Sequence, residues 1–318
     1  MHQPNTSCLT PPTPEPKKRS RSLCNSDVPS WQLFHGNALT LFKSLPDESV
    51  HLIVADPPYF IDGMGDDWDN SNLQIRTAKA GVVGSLPVGM KFDPAQGRNF
   101  QRFMEQVAAE ALRVLKPGGF FISFSQARLY HRMGVAIEDA GFEIRDMLGW
   151  IYEGQAKAFS QDHFVRKNKN LTDEEKTSII ERLAGRKTPQ LKPCIEPMTL
   201  AQKPREGTFI ENWLEHETGL VDTTATLDGK FPGNLMQVAK PSKAEKGVGN
   251  SHLTVKPVTL IEHLVRLFSK EGQTVLDPFT GSGSHGVAAL RAGRNFIGFE
   301  IEREYVRIAS DRLAKVLK

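Results

Sequence analysis

Apolar positions along the chain switch between two spacings, and this alternation predicts an α/β fold. Residues 51–55 form an apolar run typical of a buried strand, and Asp56-Pro57-Pro58 ends it because proline cannot continue a central strand. Helical spacing over 100–115 predicts a helix that stops at Lys116-Pro117-Gly118-Gly119, and 120–124 predicts the next buried strand. A strand, a helix and a strand in this order indicate a parallel sheet.

The same alternation returns in the last part of the chain. Helical spacing over 260–268 is followed by a strand-like run at 274–277. Gly281-Ser282-Gly283 predicts a tight turn into a further helix, because glycine tolerates backbone angles that other residues avoid. The run 295–300 predicts another strand, and apolar residues over 305–316 lie on one face of a last helix. This end of the chain therefore repeats the strand and helix order of the first part.

Two segments depart from the α/β pattern. Residues 1–30 are rich in proline, serine and basic residues, which predicts a disordered tail. The more polar segment 152–251 separates 31–151 from 252–318, and we expect those two parts to form one sheet with helices on both faces. Within the polar segment, 157–205 holds eleven Lys or Arg against six Asp or Glu. This excess favours contact with nucleic-acid phosphate, and an ordinary solvated surface is the alternative.

Composition narrows the class of protein without naming a function. The 318 residues are 39% hydrophobic and 24% charged, which excludes wholesale disorder, and a net charge of +3 excludes a polycationic protein. Three scattered cysteines are too few for a disulfide framework or a Cys-rich zinc site and predict a reducing cytoplasm. No apolar run is long enough to span a membrane. His163 and His285 stand without partners at metal-ligand spacing, so we predict no metal.

The motif Asp56-Pro57-Pro58-Tyr59 lies at the end of a predicted strand, where open α/β sheets bind ligands. It places a carboxylate, a backbone carbonyl and an aromatic ring side by side. The two acceptors suit both hydrogens of an exocyclic amino group, and the ring suits stacking on the attached base. A rigid turn is the alternative interpretation of this motif.

The motif Asp277-Pro278-Phe279-Thr280-Gly281-Ser282-Gly283 follows a second predicted strand. Its glycines let the backbone approach a nucleotide-like ligand, and Glu300, at the end of the next strand, is placed to bind ribose hydroxyls. Gly286 stands where the dinucleotide-binding fingerprint has its third glycine, but nothing else in the motif indicates a helix terminus that binds phosphate. By itself this motif favours a ligand cradle and a plain turn about equally.

Taken together, the two motifs resemble those of the amino-group DNA methyltransferases that use S-adenosylmethionine. The resemblance covers the chain from about residue 32 to its end, with the catalytic motif first and the cofactor motif last, the circularly permuted β-type order. The segments His252-Leu253-Thr254-Val255-Lys256-Pro257, 198–204 and 231–235 are also similar to stretches found in the family, the last two in phage and plasmid members. The resemblance implies a Rossmann-like methyltransferase sheet with 152–251 as an inserted target-recognition region.

The resemblance also implies roles for single residues. Asp56 and the Pro57 carbonyl would accept hydrogen bonds from the target amine, and Tyr59 would stack on the base. The implied catalytic residues are Asp56, Pro57, Pro58 and Tyr59. The implied cofactor-binding residues are Asn37, Ala38, Asp56, Lys256, Asp277, Phe279, Gly281, Gly283 and Glu300.

One position departs from the family pattern, and one loop allows two interpretations. The family usually has Gly-Asp before the catalytic strand, but here Gly36-Asn37 replaces an acidic contact to the cofactor adenine by an amide. The acidic, glycine-rich residues 62–69 would form either a lid over the base or a solvated loop.

The implied reaction is methyl transfer from S-adenosylmethionine to adenine N6 in double-stranded DNA, on a base rotated out of the helix. Adenine is preferred because the catalytic motif begins with Asp, whereas the cytosine-N4 enzymes tend to carry Ser. An N4-cytosine methyltransferase and a catalytically silent DNA-binding relic are the alternatives. The resemblance further implies a restriction-modification or phage-encoded enzyme and a homodimer.

Overall fold

A computed structural model describes residues 28–58, 94–156, 158–247, 250, 252 and 255–317. The predicted tail thus lies almost entirely outside the described residues. The strands are β1 (Trp31–His35), β2 (Val50–Ala55), β3 (Leu115–Phe124), β4 (Glu143–Ile151), β5 (Ile195–Gln202), β6 (Leu235–Gln237), β7 (Thr274–Asp277) and β8 (Asn295–Glu300). The helices are α1 (Ala38–Phe42), α2 (Pro94–Val114), α3 (Tyr130–Asp139), α4 (Asp162–Lys167), α5 (Asp173–Arg182), α6 (Phe209–His216), α7 (Lys243–Lys246), α8 (Val258–Phe268), α9 (Ser284–Arg291) and α10 (Arg303–Val316).

The eight strands form one sheet in the order β1-β8-β7-β2-β3-β5-β4-β6. All neighbouring pairs are parallel except the two that involve β5, which runs antiparallel to β3 and β4. The chain leaves β2 toward β3 on one side and leaves β7 toward β8 on the other. The boundary between β2 and β7 is therefore the switch point at which open α/β sheets bind ligands.

Helices cover both faces of the sheet, as the sequence predicts. On one face α8 and α9 pack against residues such as Leu52, Val275 and Phe296. On the other face α1, α2 and α3 pack against residues such as Ile53 and Phe121. Successive residues of β2 enter opposite layers because side chains alternate along a strand, and both sides are apolar because both are buried. This confirms the predicted Rossmann-like α/β class.

β3 begins five residues earlier than the sequence predicts. Lys116-Pro117-Gly118-Gly119, expected only to stop the preceding helix, lies inside the strand. The pairing of β3 with β2 shifts register here, from Val50 opposite Leu115 to Leu52 opposite Phe120. Gly118 and Gly119 bond instead to the backbone of Lys203, just beyond β5. The irregular pairing accommodates Pro117, which a regular central strand would not.

The segment 152–251 is not wholly an insert outside the sheet. It contributes β5, whose residues from Pro197 to Gln202 are buried between β3 and β4, and the short edge strand β6. The remainder forms loops and short helices. The largest excursion, 152–194 between β4 and β5, contains α4 and α5, and a bridge between Ser160 and Lys187 joins the two sides of it.

The basic excess counted over 157–205 does not form one surface. Lys203 and Arg205 follow β5, which runs antiparallel, so they lie at the edge where the parallel strands begin. Lys203 Nζ is 3.2 Å from Glu48 Oε1 and donates to Leu115 O at 2.8 Å, and Arg205 packs over the Phe209 ring. The other described basic residues of 157–205 belong to the excursion between β4 and β5, whose two ends lie at the opposite edge of the sheet.

Candidate functional site

The two motifs predicted to carry chemistry meet at the switch point of the sheet. Asp56 follows β2 and Asp277 ends β7, and these strands are paired through Leu52 opposite Val275 and Ile53 opposite Leu276. Pro57 is buried and Pro58 half-buried beyond the end of β2. Two segments distant in sequence thus face one crevice at the carboxyl ends of neighbouring parallel strands.

The Asp56 carboxylate binds the ammonium group of Lys256. Lys256 Nζ is 2.5 Å from Asp56 Oδ2 and 3.1 Å from Glu196 Oε1, and it lies 4.9 Å from the centre of the Phe124 ring. Burial disfavours the charged form of Lys256, but attraction to Asp56 and Glu196 outweighs it, so the pKa of the ammonium lies above its ordinary value. We call Asp56, Lys256 and Glu196 the Lys256 ion cluster.

Asp277 is buried and holds the start of the cofactor motif together. Its Oδ1 accepts a hydrogen bond from the backbone N–H of Phe279 at 2.9 Å, and its Oδ2 lies 2.8 Å from His285 Nδ1. His285 Nδ1 is also 3.1 Å from Val54 O on the neighbouring strand. Burial opposes protonation of His285, but the Asp277 carboxylate outweighs burial and raises the pKa of the imidazole. The buried His285 side chain therefore contacts both the cofactor motif, through Asp277, and the neighbouring strand β2.

The glycine turn brings backbone close to side chains from other parts of the chain. Gly281 has φ +51°, and a Cβ atom there would lie 2.6 Å from His252 Nε2. Gly283, at φ +85°, caps α9, and a Cβ there would lie 3.0 Å from the Ala309 side chain on α10. Both positions need glycine for conformation and for space. We call this glycine turn, 281–283, the cradle, because two glycines without side chains let a ligand approach the backbone N–H groups closely.

Glu300 ends β8 beside this turn. Its Oε2 accepts from Gly281 N at 2.7 Å and its Oε1 accepts from Glu302 N at 2.8 Å. Burial raises the pKa of Glu300 to about 7, although both backbone N–H groups act in the opposite sense. Each carboxylate oxygen has a second lone pair, so both can still accept a hydrogen bond from a ligand hydroxyl.

The other predicted cofactor residues lie along the same edge of the sheet. Asn37 follows β1, which pairs with β8, and Gly36 N donates to Glu300 O at 2.9 Å. The exposed Asn37 side chain caps α1 by accepting from Leu39 N, and Ala38 is buried as the first residue of that helix. Phe279 is half-buried against Phe103, with 5.9 Å between ring centres.

His252 adds an imidazole that the sequence did not single out. Its ring lies against the backbone of Gly281, close enough to exclude a Cβ atom there, and packs edge-on against Tyr305 with 4.7 Å between ring centres. Its Nδ1 is buried and has no hydrogen-bond partner within the described residues. Burial lowers the pKa of His252, while Asp56 and Asp277 act in the opposite sense. A neutral imidazole therefore lies between the two motifs.

These residues fit S-adenosylmethionine. The cradle at Gly281 suits close approach of the cofactor, the Glu300 carboxylate retains acceptor sites for two ribose hydroxyls, and the unpaired His252 Nδ1 offers a further polar contact. Asp277 Oδ2 lies close to His285 Nδ1 but makes no hydrogen bond within the described residues, so the assignment of Asp277 to the cofactor site stays a prediction. In this structure its Oδ1 shapes the turn by accepting the hydrogen bond from Phe279 N.

Part of the predicted site lies outside the described residues. Tyr59 and the acidic loop 62–69 belong to the undescribed range that follows Pro58. Among the residues that are described, no group of three or more His, Cys, Asp or Glu could hold a metal ion. No helix in the described ranges is long and apolar enough to cross a membrane.

Sequence reasoning missed Glu196 and His252 as members of the site and treated His285 as an ordinary polar residue. Glu196 carries no local motif, and only the antiparallel direction of β5 brings its first residues to the crevice. His252 belongs to a segment that is similar to the family and that also contains Lys256. That similarity was the signal that could have led to His252.

Comparison with known proteins gives the family. The family model N6_N4_Mtase, described as DNA methylase, matches residues 50–311. Type II methyltransferase M.HindIII of Haemophilus influenzae is 29% identical over 302 residues, covering 88% of this chain and 94% of that protein.

Two solved structures share the fold. The M1.HpyAVI complex with S-adenosylmethionine has a TM-score of 0.53 at 21% identity and covers 89% of this chain and 98% of its own. The PvuII DNA methyltransferase, described as cytosine-N4-specific, has a TM-score of 0.61 at 18% identity. The match covers 91% of this chain and 90% of the PvuII enzyme. The family match spans both motifs and the sheet between them, and it confirms the expected family and cofactor. The chain belongs to the N6/N4 DNA methylase family, the S-adenosylmethionine-dependent amino-group DNA methyltransferases.

Proposed function

We propose that the protein transfers the methyl group of S-adenosylmethionine to N6 of adenine in double-stranded DNA, on a base rotated out of the helix. The observation that carries this proposal is the position of Asp56. Its carboxylate lies at the switch point of the sheet, beside the glycine turn of the cofactor motif. A hydrogen-bond acceptor for the target amine and a cradle for the methyl donor are thus neighbours.

The chemistry required of the protein is modest. The amine nitrogen is a poor nucleophile because its lone pair is delocalised into the ring. Asp56 and the Pro57 carbonyl would accept its two hydrogens, favour a pyramidal nitrogen and direct the lone pair out of the ring plane. Bound S-adenosylmethionine supplies an electrophilic methyl group on a sulfonium. In direct transfer the N–CH3 bond would form as the S–CH3 bond breaks, S-adenosylhomocysteine would leave, and the proton lost from the nitrogen would pass to solvent water, so no covalent intermediate with the protein and no thiolate nucleophile is needed.

The base must leave the stack before it can reach Asp56. Unstacking and unpairing cost a few kcal/mol, and stacking in the pocket offsets that cost. We assign the stacking role to Tyr59, which directly follows the two prolines of the catalytic motif. The Lys256 ion cluster contributes a net negative charge at the base of the pocket. That charge suits a reaction in which a positively charged donor approaches a nitrogen that becomes positive.

We assign DNA recognition to the excursion that leaves the sheet after β4 and returns to β5. Both ends of this excursion lie at the same edge of the sheet as Asp56. Residues 157–192 carry nine Lys or Arg against five Asp or Glu. The acidic Asp173, Glu174 and Glu175 are gathered in the first turn of α5, while Arg166 and Lys167 end α4. Because the acidic residues are concentrated at the start of α5, we assign phosphate contacts to the basic end of α4.

The direct test is methyl transfer itself. The full chain is incubated with labelled S-adenosylmethionine and unmethylated duplex DNA, and the DNA is digested to nucleosides for mass spectrometry. We expect N6-methyldeoxyadenosine as the labelled product. Asp56→Ala should lose transfer while remaining folded, and Asp311→Ala, at a carboxylate exposed on α10, is the matched control. Wild-type transfer by Asp56→Ala would overturn the assignment of Asp56.

N4-cytosine methylation is the second candidate, and the similarity in fold to the cytosine-N4-specific PvuII enzyme supports it. The same digest decides between the two, since label in N4-methyldeoxycytidine would replace the adenine proposal. A relic without turnover would bind S-adenosylmethionine but label neither base in any duplex.

The biological setting is a further part of the proposal. The type II name of M.HindIII supports a role in a restriction-modification system, and we propose a homodimer as the working form. Sequencing DNA modified in a methylation-free host would give the recognition site. Light scattering coupled to gel filtration would give the subunit number.

A further inference from the structure

Lys256 is a charged side chain in an almost fully buried position. It is 5% exposed and belongs to the loop that precedes α8. Asp56 Oδ2 and Glu196 Oε1 lie within 3.1 Å of its Nζ, and the Phe124 ring lies on a further side. A buried ammonium without such partners would cost several kcal/mol, so its position depends on them.

Glu196 reaches this cluster because β5 runs against the other strands. The end of β3 faces Met198, and Glu196 lies two residues earlier in β5, opposite Trp150 of β4. Side chains two apart in a strand share a face, so Glu196 lies on the same face as the buried Met198, just beyond the Phe124 end of β3. An antiparallel strand thus brings a carboxylate from the middle of the chain to the carboxyl edge of the parallel strands.

Both carboxylates are needed to hold the ammonium in place. If Glu196 lost its charge, Lys256 would keep Asp56 alone as a charged partner, and burial would weigh more heavily against its protonated form. The side chain would also lose one of the contacts that select its rotamer. The Asp56 carboxylate, which it contacts at 2.5 Å, would in turn be held less firmly.

We propose that Glu196 is a positioning residue for methyl transfer, which holds Lys256 against Asp56 Oδ2 and so fixes the carboxylate that receives the target amine. The proposal rests on the proposed function, because it assumes that Asp56 accepts a hydrogen bond from that amine. Glu196 itself contacts neither base nor cofactor in this scheme. Its effect passes through Lys256.

The charged and titratable groups that face Lys256 come from several elements. Asp56 follows β2, Glu196 lies in β5, Tyr152 follows β4, His252 precedes α8 and His285 lies in α9. Of these, Asp56 and Glu196 raise the pKa of Lys256 against the effect of burial. Removing the charge of Glu196 should therefore lower the pH at which Lys256 loses its proton.

The experiment compares wild-type protein with Glu196→Gln and Glu196→Asp in single-turnover methyl transfer with saturating cofactor and DNA. Gln keeps the size and an acceptor oxygen but removes the charge, and Asp keeps the charge but retracts it by one methylene. Glu271→Gln is the matched control, because Glu271 is an exposed carboxylate in the loop before β7, at the edge where the parallel strands begin. Thermal unfolding and cofactor titration are measured on every variant.

We expect Glu196→Gln to lower the single-turnover rate roughly 10- to 100-fold, the range that follows a misplacement of about 1 Å. The alkaline limb of its rate profile should move to lower pH, and cofactor affinity should change little. Glu196→Asp should retain more activity and a profile closer to wild type. Glu271→Gln should match wild type throughout.

A double-mutant cycle with Lys256→Met tests the route. If Glu196 acts through Lys256, Glu196→Gln should cause no further loss of rate in the Lys256→Met background. Additive losses would overturn the proposal, as would a wild-type rate and pH profile in folded Glu196→Gln. A loss confined to cofactor affinity would also overturn it. Absence of transfer by the wild-type protein would instead refute the proposed function, so the two failures are distinguishable.

Discussion

Glu300 gives the molecule a pH-dependent stability whose size can be worked out from the structure. Its side chain is 8% exposed, and burial raises its pKa from 4.5 to about 7 against two backbone N–H donors. Folding therefore favours the protonated form. The contribution of protonated Glu300 to the free energy of unfolding is fully present below pH 4.5 and is lost as the pH rises through 7. At about 1.36 kcal/mol per pH unit, this difference corresponds to about 3 kcal/mol.

The perturbation is Glu300→Gln, because a neutral amide resembles the protonated acid at every pH. Urea unfolding at constant ionic strength from about pH 5 to 8.5 gives the free energy of unfolding of both proteins. We expect their difference to grow in favour of the variant as the pH rises, by about 2 to 3 kcal/mol across this range. Any part of this free-energy difference that does not change with pH reports only the changed hydrogen bonds to Gly281 and Glu302.

Glu271→Gln is the control, because Glu271 is an exposed carboxylate in the loop before β7. Its difference from wild type should stay flat over the same range. If the Glu300→Gln difference were equally flat, burial would not govern the ionisation of Glu300 and the reasoning would be refuted. With cofactor bound, ribose hydroxyls that donate to the carboxylate should favour its charged form. Wild-type affinity for S-adenosylmethionine should accordingly rise with pH near 7.

Three further predictions concern other parts of the molecule. Gly281→Ala should weaken S-adenosylmethionine binding at least tenfold in a titration, because the new Cβ would lie 2.6 Å from His252 Nε2. The control is Gly229→Ala, which has a similar positive φ but open space around it and should leave binding unchanged. Arg113→Met should lower the free energy of unfolding by about 2 kcal/mol in urea without changing the rate per folded molecule, because Arg113 donates to the carbonyls of Phe42 and Leu45, away from the crevice. Replacing both Arg166 and Lys167 by Gln should make DNA binding, measured by fluorescence anisotropy, less dependent on salt. The log–log slope should fall by about 0.9 for each phosphate that these residues neutralise, and an unchanged slope would exclude both from phosphate binding.

The parts of the fold that the sequence predicts well are those specified by local patterns. β7 and β8 have the predicted bounds and β2 begins one residue earlier, because each is a short apolar run closed by Pro, Gly or a charged residue. The glycine turn and the position of Glu300 follow from the same local reasoning.

β5 could not be predicted in the same way. Its residues include Glu196, Pro197, Thr199 and Gln202, which interrupt the apolar pattern, and it is buried only because two other strands flank it. Its direction is likewise a property of the whole sheet. The inclusion of Glu196 in the site and the separation of Lys203 from the other basic residues both follow from that direction, so neither could be read from local sequence.

The pairing of β2 with β7 has a consequence for the order in which this protein becomes active. Thr274 N donates to the His51 ring at 3.2 Å across 223 positions of the chain, and only two residue pairs join the strands. During synthesis β7 leaves the ribosome long after β2, because it follows β2 by about 220 residues in the chain, and their pairing then pays the entropy of closing a long loop. Until then one flank of β2 has no neighbour, and Asp56 faces no cofactor cradle. We therefore expect methyl transfer only from chains in which β7 and β8 have joined the sheet.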